Sequence, residues 1–169
     1  MARNRINKNE ETNPITVYTD GSADVKANAS GYGYLILDSN GRVLEEGSGS
    51  LDLPNNTYAE IKAVITGIEA ALKYAPSEMT VFTDYKVIPT ILRQEIHLWQ
   101  KRQWKTSKGK DIKNAELWKE LKELSKAFNV DIRWVKGHSG NVHNSRCDFL
   151  AWRAMRDAAA SSALMTQAS

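Results

Sequence analysis

Four acidic residues stand where a carboxylate could take part in chemistry. Asp20 follows the β-branched and aromatic stretch Ile-Thr-Val-Tyr-Thr, and Asp84 follows the similar stretch Met-Thr-Val-Phe-Thr. Glu60 and Asp148 each fall in the first turn of a predicted helix. Taken singly, each position has a structural explanation, because Asp-Gly is a hairpin signal and acids favour helix N-termini. Only the joint placement of the four acids indicates a functional site.

The predicted topology brings these acids together. If the strand before Asp84 lies parallel to the strand before Asp20, joined through the helix that carries Glu60, both strands end at one edge of the sheet. Carboxylates gathered there would repel one another unless cations neutralised them. Hard oxygen ligands suit Mg²⁺ or Mn²⁺, and two such ions are a known device for phosphodiester displacement.

The elements that must position the acids follow from periodicity and turn signals. The sequence predicts an α/β fold with a five-stranded mixed sheet, three antiparallel strands and then parallel ones, flanked by helices. A polar connection spans residues 23–30, and residues 99–113 form a basic, loop-like segment. The predicted strands cover residues 15–18, 31–37, 42–50, 79–83 and 130–135, and the helices cover 58–74, about 88–98, 114–128 and about 145–158.

Length and composition indicate one globular domain. The 169 residues are 41% hydrophobic and 25% charged, with a net charge of +3 that is too mild to prove a polyanionic partner. No apolar run is long enough to span a membrane, and the lone Cys147 favours a packing role in a cytoplasmic protein. We expect a flexible N-terminal arm over residues 1–13, a domain over 14–158 and a flexible C-terminal tail over 159–169.

The segments around the acids closely resemble type 1 ribonuclease H of the bacterial type, with a basic protrusion. The resemblance covers residues 15–156 in the family's order, and its most specific part is the His138 loop with Asp148 ten residues later. The matching segments are Tyr18-Thr-Asp-Gly-Ser, Asn56-x-x-Ala-Glu-Ile-x-Ala, Thr83-Asp, Trp134-Val-Lys-Gly-His-Ser-Gly and Asn144-x-Arg-Cys-Asp-x-Leu-Ala.

The resemblance implies a ribonuclease H-like fold and an endonuclease that cuts the RNA strand of RNA–DNA hybrids. Such an enzyme leaves 5′-phosphate and 3′-hydroxyl ends and uses two Mg²⁺ ions, for which Mn²⁺ could substitute. His138 would act in proton transfer or product release, which suits a histidine near neutral pH. Carried over by position, the metal-binding acids are Asp20, Glu60, Asp84 and Asp148, with Asp20 shared between the ions.

The resemblance also implies the substrate contacts. The hybrid would be recognised by shape and 2′-hydroxyls, without sequence specificity, by a monomer with no obligate protein partner. The basic segment would bind phosphates, its tryptophans packing on sugars or bracing the loop; a solvated charged loop is the alternative. The residues assigned to substrate binding are Gly21, Ser22, Asn55, Asn56, Trp99, Lys101, Arg102, Trp104 and Lys105.

Some features depart from the family's pattern or match no site position. Residues 23–30 lack the glycine- and proline-rich turn that many bacterial members have, Tyr85 replaces a common Ser, and Ser145 replaces a frequent Glu. His97 and His143 match no catalytic position and are predicted to be surface residues. Two other hypotheses remain: a hybrid-binding module without catalysis, and another metal-dependent nuclease or strand-transfer enzyme on the same fold.

Overall fold

Five strands form one sheet in the part of the chain that this computed structural model describes, residues 12–168. The strands are β1 (Pro14–Asp24), β2 (Ala29–Leu37), β3 (Val43–Leu51), β4 (Glu78–Thr83) and β5 (Val130–Trp134). Their order is β3-β2-β1-β4-β5; β2 is antiparallel to β1 and β3, whereas β4 is parallel to β1 and β5. The predicted five-stranded mixed sheet is therefore confirmed.

Helices cover both faces of the sheet. They are α1 (Asn56–Ala71), α2 (Val87–Thr90), α3 (Ile96–Lys101), α4 (Ala115–Ala127) and α5 (Val142–Ala168). Alternation along β2 separates two cores: Tyr34 and Ile36 pack in the larger core with α1 and α4, and Leu35 and Leu37 pack against α5. Cys147 is fully buried in this second core, where burial raises the pKa of its thiol, so its predicted packing role is confirmed.

Helix α1 is stabilised by an N-terminal cap and by a buried apolar stripe. The Asn55 side chain caps the helix by accepting a hydrogen bond from the Tyr58 backbone N–H at 2.8 Å. Its apolar stripe is buried against the sheet, and a short 3₁₀ turn, Leu72–Tyr74, ends the helical run at the predicted residue. Since α1 begins two residues before the prediction, Glu60 lies in the second turn rather than the first.

The helical run after β4 begins where Pro89 allows it. Pro89 lies in the first turn of α2, where its missing N–H costs nothing, as predicted. The run continues through a π-helical segment, Ile91–Glu95, into α3. Residues 99–101 are thus helical, three residues beyond the predicted end near residue 98, and the basic loop begins only after them.

Helix α5 is longer than predicted at both ends. Asn141 caps it by accepting hydrogen bonds from the N–H groups of His143 and Asn144, so the helix begins before residue 145. Asp148 therefore lies in the second turn. The helix then runs to Ala168 instead of ending near 158, because the Ala- and Ser-rich segment contains neither Gly nor Pro to stop it.

The two ends of the predicted domain differ from expectation. Residues 1–11 of the predicted arm lie outside the described residues, but Asn13 is anchored: its side chain donates to the Tyr74 carbonyl at 2.7 Å, and its backbone pairs with Ser77. At the other end, residues 159–168 belong to α5. Within residues 12–168, no helix combines the length and apolar character needed to cross a membrane.

Candidate active site

Asp20 lies inside strand β1 and not at its end. The strand continues through Asp20 to Asp24, and Asp20 pairs with Gly33 of β2. The hairpin turn that Asp-Gly favours does not form there, and part of the polar connection predicted over residues 23–30 is β-structure. Asp20 is only 4% exposed, so the fold buries a carboxylate in the middle of the sheet.

Gly21 is what allows Glu60 to approach Asp20. A Cβ at position 21 would lie 2.4 Å from the Ala59 carbonyl carbon and 2.4 Å from the Glu60 nitrogen, so only glycine lets β1 and α1 come this close. The Gly21 N–H then donates to the Glu60 carboxylate at 3.2 Å. Because of this contact, Glu60 is 5% exposed and held over the strand that carries Asp20.

Asp84 follows the last residue of β4, as predicted. Its carboxylate accepts a hydrogen bond from the Asn144 side-chain amide at 3.2 Å, and its carbonyl accepts one from the Trp134 indole N–H at 3.1 Å. A Cβ on Gly137 would lie 2.6 Å from the Asp84 Oδ2. The loop after β5 therefore approaches the carboxylate closely, and Gly137 leaves room for it.

The structure brings the predicted acids together. Asp20, Glu60 and Asp84 each offer a carboxylate oxygen, and these three oxygens lie within 4.8 Å of one another. Asp148 stands outside this group of three, but its charge is one of the causes that raise the pKa of the Asp20 carboxyl. The acids thus form one cluster on β1, α1, the end of β4 and α5.

The electrostatics of the cluster are strongly unfavourable for negative charge. Burial, followed by the charges of Glu60, Asp84 and Asp148, raises the pKa of the Asp20 carboxyl far above its usual range. Burial and the charge of Asp84 raise the pKa of Glu60 as well, and the Gly21 N–H offsets this only partly. Such a site is stabilised by a bound cation, and carboxylate oxygens at this spacing fit a hard divalent ion.

Asn144 is a site residue whose role the sequence analysis missed. It is 3% exposed, and while its amide nitrogen donates to Asp84, its Oδ1 has no hydrogen-bond partner among residues 12–168. A buried polar atom without a partner is costly and calls for an explanation, such as a bound water, an ion or a catalytic role. One sign of its importance was in the sequence, because Asn144 belongs to a segment that carries the resemblance. Its contact with Asp84 could not be predicted, since the two residues are 60 positions apart.

We expect Asn144→Ala to lower catalytic efficiency by about 10–100-fold with little loss of stability. Residues that orient metal-binding groups typically have effects of this size. The lost hydrogen bond, worth about 1 kcal/mol, is offset by removal of the buried, unpartnered oxygen. Steady-state kinetics and thermal melting of the variant check this, and Asn40→Ala, in the exposed turn between β2 and β3, is a matched control. Full activity in Asn144→Ala would show that Asp84 does not need this donor.

The three histidines have different surroundings. His138 is exposed on the loop after β5 with a φ of 53°, a left-handed conformation that costs a non-glycine residue on the order of 1–2 kcal/mol. Strain of this kind concentrates at functional sites. His97 is exposed, as predicted. His143 is not an ordinary surface residue: it is half-buried, and its ring centroid lies 5.1 Å from that of Tyr18.

The candidate substrate-binding residues near the cluster occupy defined places. Asn55 and Asn56 are exposed at the start of α1, about one turn before Glu60. Gly21 is buried between β1 and α1, and the Ser22 hydroxyl contacts the Met155 sulfur at 3.4 Å. The two asparagines are thus the ones that present polar groups to solvent beside the acids.

The basic segment is braced by its tryptophans. Trp99 packs edge to face on Trp104 and on Trp118 of α4, with ring centroids 6.2 and 5.8 Å apart. Of the two roles predicted for Trp99 and Trp104, the structure shows the bracing one. Lys101 and Arg102 are exposed, and Lys105 forms an ion pair with Asp111.

Tyr85, which stands next to Asp84 where the family commonly has Ser, is accommodated by specific contacts. Its hydroxyl hydrogen-bonds the Thr57 hydroxyl at 2.8 Å and its ring packs on the larger core. The bond links the start of α1 to the segment after β4, the two elements that carry Glu60 and Asp84. Tyr85 therefore connects the two elements that carry Glu60 and Asp84.

The fold and the carboxylate cluster define an RNase H-like α/β protein with a candidate metal centre. Among solved structures, the N-terminal RNase H domain of a Mycobacterium tuberculosis protein superposes with a TM-score of 0.69 at 25% identity, covering 90% of this chain and 99% of that one. LC11-RNase H1, solved in complex with an RNA/DNA hybrid, gives a TM-score of 0.65 at 22% identity, covering 85% and 98%.

Sequence comparison gives the family. The RNase H family model matches residues 12–156, and the ribonuclease H of Maricaulis maris is 38% identical over 144 residues, covering 85% of this chain and 95% of that protein. The chain belongs to the RNase H family. The enzyme class predicted from the sequence, ribonuclease H, is thereby confirmed.

Proposed function

We propose that this protein is an endoribonuclease that hydrolyses the RNA strand of RNA–DNA hybrids and leaves 5′-phosphate and 3′-hydroxyl ends. The observation that carries the proposal is the cluster of Asp20, Glu60 and Asp84, of which the first two are buried, with the charge of Asp148 acting on Asp20. Family membership supports the reaction, and a neighbour by fold, LC11-RNase H1, was solved with an RNA/DNA hybrid.

The acids would hold two divalent ions, Mg²⁺ or Mn²⁺, that supply an activated water and a counter-charge for the leaving oxygen. Asp20 has a carboxylate oxygen within 4.8 Å of those of Glu60 and Asp84, and the charges of all three other acids act on it, so it suits the shared position. Gly21 and Asn144 orient Glu60 and Asp84 respectively by one hydrogen bond each. These bonds hold the carboxylates before substrate arrives, which lowers the cost of organising the site.

His138 would transfer a proton or assist product release. Its loop approaches Asp84 through Gly137, and its own backbone is held in a strained conformation. A histidine near neutral pH can both accept and donate a proton, and an exposed loop gives it access to solvent. The approach of its loop to Asp84 and the chemistry of imidazole therefore support either role for His138.

Substrate binding would depend on shape and charge and not on base sequence. Asn55 and Asn56 can contact the minor groove, where a hybrid displays 2′-hydroxyls, beside Gly21 and Ser22. Phosphates would be bound by the basic segment, of which Lys101 and Arg102 are exposed. We propose that the enzyme acts in the cytoplasm as a monomer with no obligate protein partner.

One experiment tests the proposal. A labelled RNA is offered as a hybrid with DNA, as an RNA duplex and as a single strand, with Mg²⁺, with Mn²⁺ and with EDTA. We expect cleavage of the hybrid alone, at many positions and with 5′-phosphate products, abolished by EDTA. Binding of the hybrid without metal-dependent cleavage would overturn the proposal in favour of a binding module.

A further inference from the structure

A cationic groove lies beside the acid cluster, between the α2 region and the end of β5. It has a volume of about 480 Å³, within the range of ligand sites of about 300–1,000 Å³. We call it the α2–β5 groove. It is lined by Lys86, Pro89, Thr90, Arg93, Gln94, Arg133 and Trp134.

The charge of the groove favours an anion. Three cations line it, and two of them are paired with Asp131, which binds Arg133 at 2.6 Å and Arg93 at 3.8 Å. The Arg93 and Arg133 side chains are 63% and 57% exposed, so both remain accessible. The larger cleft of about 840 Å³ between β3 and α5 differs, since its acids outnumber its cations.

The groove adjoins the acid cluster at Asp84. Lys86 stands two residues after Asp84, and the Trp134 indole donates to the Asp84 carbonyl at 3.1 Å. A nucleic-acid strand carries a phosphate about every 3.4 Å along the duplex axis. A strand with one phosphodiester at Asp84 would therefore place neighbouring phosphates within reach of Lys86 and the groove.

The aromatic wall favours an unpaired strand. Trp134 is 45% exposed, and the Lys86 ammonium lies 5.4 Å from its ring centroid. Bases inside a duplex are already stacked on one another, whereas splayed or single-stranded bases stack on exposed aromatic side chains next to cations. The combination of Trp134 with exposed arginines is typical of single-strand binding.

We propose that the α2–β5 groove binds a single-stranded nucleic-acid segment that extends beyond the hybrid from the strand held at the acid cluster. Lys86, Arg93 and Arg133 would contact its phosphates, and Trp134 would contact a base. The inference rests on the proposed function, and it adds a preference for hybrids that adjoin an unpaired strand. RNA and DNA extensions share this chemistry, so the experiment must separate them.

The test compares one blunt hybrid with the same hybrid extended by a short single strand at each of its four strand ends in turn. KM is measured by cleavage, and Kd is measured on Asp20→Asn protein so that affinity does not depend on turnover. We expect one extension to lower both constants by about fivefold to tenfold, the effect of stacking about one base. Which end it is identifies the strand as RNA or DNA.

Variants tie the effect to the groove. Arg93→Gln should remove the advantage of the extended hybrid and leave the blunt hybrid unchanged, while Asp131→Asn should strengthen binding of the extension by removing the competing carboxylate. Arg42→Gln, in the exposed β2–β3 hairpin, is the matched control and should change nothing. Thermal melting confirms that each variant is folded.

Two outcomes overturn the inference: no extension improves binding, or Arg93→Gln weakens the blunt and extended hybrids equally. Failure of the proposed function would give a different result from failure of this inference. In that case the wild type does not cleave the blunt hybrid, whereas the Kd difference between blunt and extended hybrids still reports on the groove.

Discussion

Asp20→Asn should abolish hybrid cleavage and, at the same time, raise the thermal stability of the metal-free protein. Activity should fall by at least about 10²–10³-fold, the effect of removing a single charge-stabilising group from an active site. Stability should rise because folding of the metal-free wild type must either bury the Asp20 charge beside three other acids or keep a proton on it, and an asparagine requires neither. Each 1 kcal/mol gained corresponds to an increase in Tm of about 2–4 °C for a chain of this size.

The pH dependence of stability provides a second measurement on the same variant. The pKa values of Asp20 and Glu60 are raised in the folded state, so folding retains protons on these groups that the unfolded chain releases near pH 4. Wild-type stability without metal should therefore fall as the pH rises from about 4 through neutrality. The decline should be shallower in Asp20→Asn, and Mg²⁺ should stabilise the wild type more than the variant.

The matched control is Asp157→Asn, which removes an exposed acid from α5, outside the cluster. It should alter neither cleavage nor the slope of stability against pH. An Asp20→Asn protein that cleaves normally would contradict the metal-centre assignment. One that is inactive but less stable than the wild type would show that the cluster does not carry the predicted repulsion.

Gly21→Ala should destabilise the fold and disable the site together. The added Cβ would lie 2.4 Å from the backbone of Ala59 and Glu60, and backbone atoms cannot rotate away as a side chain does. Overpacking of this kind costs about 3 kcal/mol at the upper end of its usual range. Moving α1 away from β1 would also lengthen the bond from the Gly21 N–H to Glu60.

Denaturant melts and cleavage assays measure the two effects of Gly21→Ala. Gly41→Ala is the comparison, because Gly41 has a φ of 77° but nothing within 4 Å of the added carbon. It should cost only about 1 kcal/mol through backbone strain and leave cleavage intact. A stable, active Gly21→Ala protein would show that the β1–α1 contact relaxes easily and does not position Glu60.

Local patterns predicted the elements well where a single periodicity dominated. The apolar stripe of α1, the parallel strands before Asp84 and in β5, and the late start imposed by Pro89 all follow from neighbours in sequence. The four acids were also found from sequence, since their flanking segments resemble those of a known family. Each element signal depends on residues within about one helical turn or one strand, whereas the site prediction depends on the joint placement of four acids between positions 20 and 148.

Tertiary structure decided what local patterns could not. Asp20-Gly21 favours a turn by itself, but pairing with β2 and the close packing of α1 keep it in an extended strand. Asn144 acquired its role only when α5 came to lie beside the end of β4, 60 residues away in sequence. His143 packs against Tyr18 for a similar reason, because α5 and β1 come together only in the folded chain.

The sequence by itself therefore predicted which residues would carry the chemistry and determined the order of the elements that hold them. The tertiary structure alone decided how deeply those residues are buried, how strongly the acids repel one another and which neighbours orient them. The physical reason is that helix and strand signals act over short sequence distances. Burial and electrostatic coupling arise from approaches such as those of Glu60 to Gly21 and of Asp84 to Asp20, which exist only once the chain has folded.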